Sequence, residues 1–157
     1  MRNSDSKRNE EKLAVPKAKY EGFEALNPWF DVVQKGLDGL VDGDHFFDMF
    51  ADDAVFESRY KLPGWPMKIR GRDKLVAALS GYGDSIILHS GNHLVAHHSQ
   101  DSRVMILEYY VHGKVVSTGV PYDNRLVSVI TIENRKIVHW TDYMDSLAAA
   151  TALNGSS

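Results

Sequence analysis

"KIVHWTDYMD", residues 136–145, is the stretch on which the reading of this chain turns. With a period of two, Val138, Trp140, Asp142 and Met144 share one face and Ile137, His139, Thr141 and Tyr143 the other. The first face is apolar except for one carboxylate. An acid on a strand's apolar face is either a hydrogen-bonded structural group or a proton-transfer residue. Desolvation lifts its pKa toward the range where proton transfer works near neutral pH.

Working outward, the chain before this strand is also β-rich. "SIILHS" (85–90), "HLVAHHS" (93–99), "RVMILEYYVHG" (103–113) and "RLVSVITI" (125–132) read as strands, with turns at "SQDSR", "HGK" and "ENRK". The first half is helical. "NPWFDVVQKGLDGL" begins with Asn27 as an N-cap and Pro28 at the first helical position. "GDHFFDMF" predicts a short second helix capped by Asp44, "DAVFESRY" (53–60) a first strand, and "RGRDKLVAALSGYG" a third helix. "KLPGWPMK" (61–68) is a loop placed to act as a lid, and "DSLAAATAL" predicts a terminal helix. Helices followed by a run of strands predict an α+β fold, with three N-terminal helices packed on a curved, mostly antiparallel sheet.

Several strands are apolar on both faces, "VMILEYYV" above all. Helices cover one face of such a sheet, and a second copy of the chain is the simplest cover for the other. A homodimer through the outer sheet face is therefore expected.

Composition bounds the rest. The 157 residues are 43% hydrophobic and 10% aromatic, enough for one domain with a sizeable core, expected over residues 20–153. Residues 1–19 have no apolar run and read as a disordered tail, and 154–157 as a flexible C-terminus. The net charge of −3 carries no nucleic-acid footprint. With no cysteine there are no disulfides or thiolate ligands, which fits a cytoplasmic protein. No segment has the ~18–20 apolar residues that cross a bilayer, so no membrane partner is expected.

Three pieces carry a resemblance to a known family: "FADDAVFE" (50–57), "IRGRDKL" (69–75) and "KIVHWTDYMD". In this order and spacing, across residues 25–153, the chain resembles the nuclear-transport-factor-2-like superfamily in its SnoaL-like and ketosteroid-isomerase-like branch. The resemblance implies a cone-shaped α+β barrel with a deep pocket, usually dimeric. Asp142 occupies the place of the water-activating acid of limonene epoxide hydrolases and of a proton-handling glutamate in phenazine-biosynthesis A/B proteins. The second catalytic group of the phenazine proteins, a histidine on the third helix, falls near Ala78. The water-holding tyrosine and asparagine of the hydrolases fall at Phe56 and Ser58, where the ketosteroid-isomerase base also falls. Dehydratases of the superfamily carry a catalytic histidine on the strand that corresponds to "SIILHS", which here makes it His89.

The candidate catalytic residues are Asp142, His89, Tyr110 and Glu108. Phe56, Ser58 and Tyr60 share a strand face and, with Trp65, Trp140 and Met144, are expected to contact substrate. Against each stands a plainer role: Asp142 bonded to Arg125, a tyrosine or an amide; His89 as a satisfied core residue; tyrosines as amphipathic packing. His89, His93 and His97 are four apart, but i and i+4 on a strand lie ~13 Å apart, so no metal site is expected. The sequence thus predicts a small-molecule enzyme. It would work by cofactor-independent general acid–base catalysis (isomerisation, dehydration or cyclisation) on an apolar oxygenated substrate. Epoxide hydrolysis and non-catalytic binding of a hydrophobic metabolite are the alternatives.

Overall fold

The computed structural model describes residues 20–154; the readings of 1–19 and of 155–157 lie outside the described residues. Six strands form one sheet: β1 Phe50–Ser58, β2 Lys68–Arg70, β3 Ile86–His98, β4 Val104–Val115, β5 Pro121–Glu133 and β6 Lys136–Met144, in the order β2-β1-β6-β5-β4-β3. The β1–β6 pair is parallel and the others are antiparallel. The curved sheet does not close, so β2 and β3 are its edges, and helices fill the concave side.

Helix α1, Asn27–Gly36, lies across β3 and β4. It begins at Asn27 itself, entered from a 3₁₀ turn at Glu24–Leu26, and Leu26 holds the cap position without a side-chain bond. Pro28 fits the first turn, where no backbone N–H is required. Trp29, Phe30, Val32 and Val33 face the sheet. The helix sits close because two glycines let it: a Cβ at Gly36 would lie 2.8 Å from Leu107, and one at Gly91 2.9 Å from the Pro28 carbonyl.

The second expected helix is a 3₁₀ turn, Phe46–Met49, and its cap is His45 rather than Asp44: the Phe47 N–H donates to His45 Nδ1 at 3.1 Å. Its two phenylalanines are fully buried, and Phe46 stacks on Phe30 at 4.5 Å. Helix α2, Arg72–Leu79, packs on β1 through Leu75 and Leu79. Helix α3, Ser146–Leu153, is capped by Asp145, whose carboxylate accepts from the Ala148 N–H at 3.0 Å, and packs on β5.

Strand bounds and register depart from the sequence reading in several places. "SIILHS" and "HLVAHHS" are one strand, β3, whose two register shifts absorb the irregular residues, including His93 at φ +55°. "HGK" is no turn either. Gly113 lies inside β4 because a Cβ there would sit 2.2 Å from the Ile87 carbonyl oxygen, and the chain turns later, at Gly119. "IRGRDKL" contributes the edge strand β2 before its helix, and β1 starts at Phe50 instead of Asp53. In β6 a bulge leaves Val138 unpaired, so Ile137 is fully buried while Val138 is half-buried. The "ENRK" turn does form: Asn134 and Arg135 both have positive φ, the signature of a two-residue type I′ hairpin.

The core lies between the concave face and the helices, with Trp140, Tyr109, Phe46, Phe47 and Phe50 its largest fully buried side chains. Burying each contributes roughly 1.5–3 kcal/mol. The outer face is uncovered: Ile87, Val95 and Tyr143 are exposed there. Among the described residues no helix is long and apolar enough to cross a membrane.

Candidate functional site

A cavity of about 320 Å³ opens between the concave face and all three helices, with residues 60–65 at its mouth. Its walls are aromatic and aliphatic: Trp29, Phe56, Tyr60, Trp65, Tyr82, Tyr122, Ile86, Leu88, Leu126 and Met144. Asp142 is its carboxylate, and no lysine, arginine or histidine is among the lining residues.

The sheet places Asp142 at the centre of a row of small hydroxyls. Its Cα partner in β1 is Ser58 and in β5 Ser128. Ser128 Oγ donates to Asp142 Oδ1 at 2.8 Å, and the Trp140 indole, two residues back on the same face, donates to the same oxygen at 2.9 Å. Behind Ser128 stands Tyr109, its hydroxyl 2.8 Å from Ser128 Oγ, and the Trp29 indole donates to that hydroxyl at 2.8 Å. Oδ2 takes no hydrogen bond. No buried side-chain N or O among the described residues lacks a partner, so Oδ2 is open to the cavity.

Burial pushes the Asp142 carboxyl up to about 6, against the pull of the Trp140 and Ser128 hydrogen bonds, which favour the charged form. Burial also raises the phenols of Tyr60, Tyr82 and Tyr122, so they stay neutral donors at physiological pH. The Tyr122 hydroxyl accepts from Asn124 Nδ2 at 2.9 Å. Asn124 also bonds the Asp145 backbone in both directions, at 2.9 and 3.1 Å, which ties Tyr122 to the start of α3. At the mouth the Trp65 indole donates to Ser58 Oγ at 2.9 Å.

Of the residues singled out from the sequence, Asp142, Phe56, Tyr60, Trp65 and Met144 line the cavity. Ser58 is buried beside it as acceptor for Trp65, and Trp140 is core, reaching the site through its indole N–H. The other three catalytic candidates lie elsewhere. His89 is exposed, because Ile86 and Leu88 are the inward residues of β3. Glu108 and Tyr110 sit on the outer face. Glu108 pairs with His97 at 2.6 Å, and Tyr110 lies under Arg125, 5.3 Å from its ring centroid, and beside His93. The inward residue of that strand is Tyr109.

Tyr82, from the 3₁₀ turn Tyr82–Asp84, and Tyr122 and Ser128, both on β5, escaped the sequence reading because only the fold brings them to Asp142. Ser128 carried a weak signal, a serine set between valines in the apolar run "LVSVITI". Among the described residues no three histidines or carboxylates converge as metal ligands do.

Residues 28–140 match the sequence profile of the SnoaL-like domain. The uncharacterized protein YesE of Bacillus subtilis (strain 168) is 32% identical over 109 residues, 69% of this chain and 74% of its own length. A solved structure of a candidate isomerase from Bacillus subtilis superposes with a TM-score of 0.69 at 28% identity, over 86% of this chain and 94% of that one. A candidate polyketide cyclase from Xanthomonas campestris pv. campestris gives 0.61 at 18% identity, over 82% and 93%, a likeness of fold alone.

Proposed function

The chain belongs to the SnoaL-like family, and on that premise we propose that it is an isomerase- or cyclase-type enzyme working by general acid–base chemistry without a cofactor. The observation that carries this reading is the free Oδ2 of Asp142, a buried carboxyl with a pKa near 6, facing an aromatic cavity. Above that pKa the carboxylate is a base; once protonated it is an acid of matched strength.

The substrate class follows from the walls. Aromatic lining favours a ring-containing apolar molecule, and the absence of a cationic lining residue disfavours an anionic one. Neutral phenols at Tyr60 and Tyr122 can each donate to a substrate oxygen. In the proposed step, Oδ2 takes a proton from the carbon next to a carbonyl. The C–H electron pair moves into the new C=C bond, and the carbonyl pair moves onto oxygen, where a phenol stabilises it. Return of the proton to a different carbon gives isomerisation. Expulsion of a β-hydroxyl, which leaves as water with the proton from Oδ2, gives dehydration, and attack of the enolate carbon on a second carbonyl, whose oxygen takes that proton, gives cyclisation.

Epoxide hydrolysis is a weaker fit, because the cavity offers one carboxylate and Phe56 stands where the hydrolases hold water. The isomerase name of the Bacillus subtilis relative and the cyclase name of the Xanthomonas protein point the same way. The exposed Val95 and Tyr143 on the outer sheet face support pairing of two copies there, which sedimentation at micromolar concentration tests.

A panel of enones, hydroxyketones and epoxides, assayed with the wild type and Asp142→Asn, tests the catalytic reading. Turnover lost in the variant supports it. Turnover unchanged in the variant, or stoichiometric binding without turnover across the panel, overturns it in favour of a carrier.

A further inference from the structure

We propose that Trp29, Tyr109 and Ser128 form a one-way hydrogen-bond relay that confines any proton carried by Asp142 to Oδ2, the oxygen that faces the cavity. Tyr109 and Ser128 are then positioning residues. Their catalytic meaning rests on the reading of Asp142 above; the relay itself does not.

The argument runs on donor counting. An indole N–H can only donate. Trp29 therefore gives its hydrogen to the Tyr109 oxygen, and the single hydrogen of Tyr109 is left for Ser128, 2.8 Å away. Ser128, now an acceptor from Tyr109, has one hydrogen left for Asp142 Oδ1, also at 2.8 Å.

The reverse polarity fails at its far end. Were Oδ1 protonated, it would donate to Ser128, Ser128 to Tyr109, and Tyr109 would point its hydrogen at the Trp29 N–H. A second donor-only group holds the near end, since the Trp140 indole also donates to Oδ1. Water offers no escape, because Trp29, Tyr109, Ser128, Trp140 and Asp142 are all buried. An unmade hydrogen bond at such depth disfavours the reversed relay by about 5–150-fold, enough to keep it in one direction. Oδ1 is thus an acceptor whatever the protonation state, and the proton has one place to go.

The groups that sense the Asp142 charge are phenols: Tyr60 beyond the end of β1, Tyr109 on β4 and Tyr122 on β5. From the helices and the mouth the cavity receives Trp29, Leu79, Tyr82, Ala149, Leu153 and Trp65, none of which ionises near neutral pH. Outside the cavity His45, lowered from 6.5 by burial, packs behind Phe30, which touches Trp29, so the part of any Trp29 titration that disappears in Asp142→Asn is the part that belongs to Asp142.

The test reads the three tryptophan indole N–H signals of the ¹⁵N-labelled full chain by NMR from pH 4.5 to 8, in the wild type and in Asp142→Asn, Tyr109→Phe, Ser128→Ala and Ser128→Thr. In the wild type, the Trp140 and Trp29 signals should move with one midpoint, and that of Trp65, bonded to Ser58, should move least. Below the midpoint both should stay at hydrogen-bonded positions, close to those of Asp142→Asn, where an amide oxygen accepts permanently. Tyr109→Phe should abolish the Trp29 titration and leave that of Trp140. Ser128→Ala should do the same and raise the Trp140 midpoint, and Ser128→Thr should restore both.

Collapse of the Trp140 signal toward a free-indole position at low pH would mean that the proton sits on Oδ1, which overturns the proposal. So would a wild-type Trp29 signal flat across the midpoint of Trp140. Loss of catalytic function for Asp142 is a separate outcome, read from turnover in Asp142→Asn, and leaves the indole result standing.

Discussion

Asp142 and Trp140 point into the same side of β6, and the indole N–H of one meets Oδ1 of the other at 2.9 Å. That bond and the one from Ser128 favour the ionised carboxyl, yet burial outweighs them and the pKa stands near 6. The net sign matters. A carboxyl whose folded pKa lies above its unfolded value is easier to ionise in the unfolded chain, so the fold bears a cost whenever Asp142 is charged.

The cost has a pH window. Below about pH 4 Asp142 is protonated in both states and contributes nothing. Between about 4 and 6 the unfolded chain has lost the proton and the folded chain keeps it, so stability falls as pH rises. Above 6 the full penalty stands, about 2–3 kcal/mol for a shift from 3.8 to about 6. Asp142→Asn removes it, because the amide oxygen still accepts from Trp140 and Ser128. The variant should melt about 4–10 °C higher than the wild type at pH 8, with the gap closing toward pH 4. Differential scanning calorimetry across pH measures this; a variant less stable at pH 8 would make the carboxylate an anchor of the fold.

The same ionisation should appear in turnover. With Asp142 as base, kcat/KM on an active carbonyl substrate should rise with pH to a plateau, with a midpoint near 6. Asp142→Asn should lower kcat by about 10²–10⁴-fold, the range general base catalysis supplies. An acid limb unchanged in Ser128→Ala would argue against Asp142 as its source, since that variant loses a bond to the charged form.

Much of this was legible in the sequence because alternation is a robust signal where a strand is regular. It placed Asp142 and Trp140 on one face, and it put Phe56, Ser58 and Tyr60 together. It did not say which face looks inward. β4 alternates without a break, but its buried row runs through Tyr109 and not through Glu108 and Tyr110, and His89 shares the exposed face of Ile87. Glycine was misread too. A residue that marks a turn in sequence serves at Gly91 and Gly113 as a place for backbones to approach. Convergence is the other blind spot: Tyr82 lies far along the chain from Tyr122 and Ser128 of β5, and nothing local announces that the fold gathers them at the site of Asp142.

Trp65 ties the segment over the cavity mouth to the row that holds Asp142, through its 2.9 Å bond to Ser58. Trp65→Phe keeps the ring and removes the donor. One neutral hydrogen bond is worth about 0.5–1.5 kcal/mol, so KM should rise about 2–10-fold while kcat stays within about twofold. Steady-state kinetics decides it: a fall in kcat with KM unchanged would place Trp65 in the chemical step.

Gly113 gives the fold its most direct test. It pairs with Leu88 across β3 and β4, and a methyl there would lie 2.2 Å from the Ile87 carbonyl oxygen and 2.9 Å from Leu88 Cα. Both are backbone atoms, so no side chain can swing aside, and the strands themselves must part. Ile86 and Leu88 line the cavity on this same stretch of β3, so parting the strands also disturbs its wall. Gly113→Ala should therefore destabilise the protein by about 2–4 kcal/mol in urea unfolding and weaken ligand binding together with stability. Gly119→Ala at the following turn meets no atom within 4 Å, and its φ of +73° alone opposes a side chain. Its cost should stay near 1–2 kcal/mol, with ligand binding unchanged. Equal losses at the two glycines would mean that β3 and β4 do not approach as closely as the structure places them.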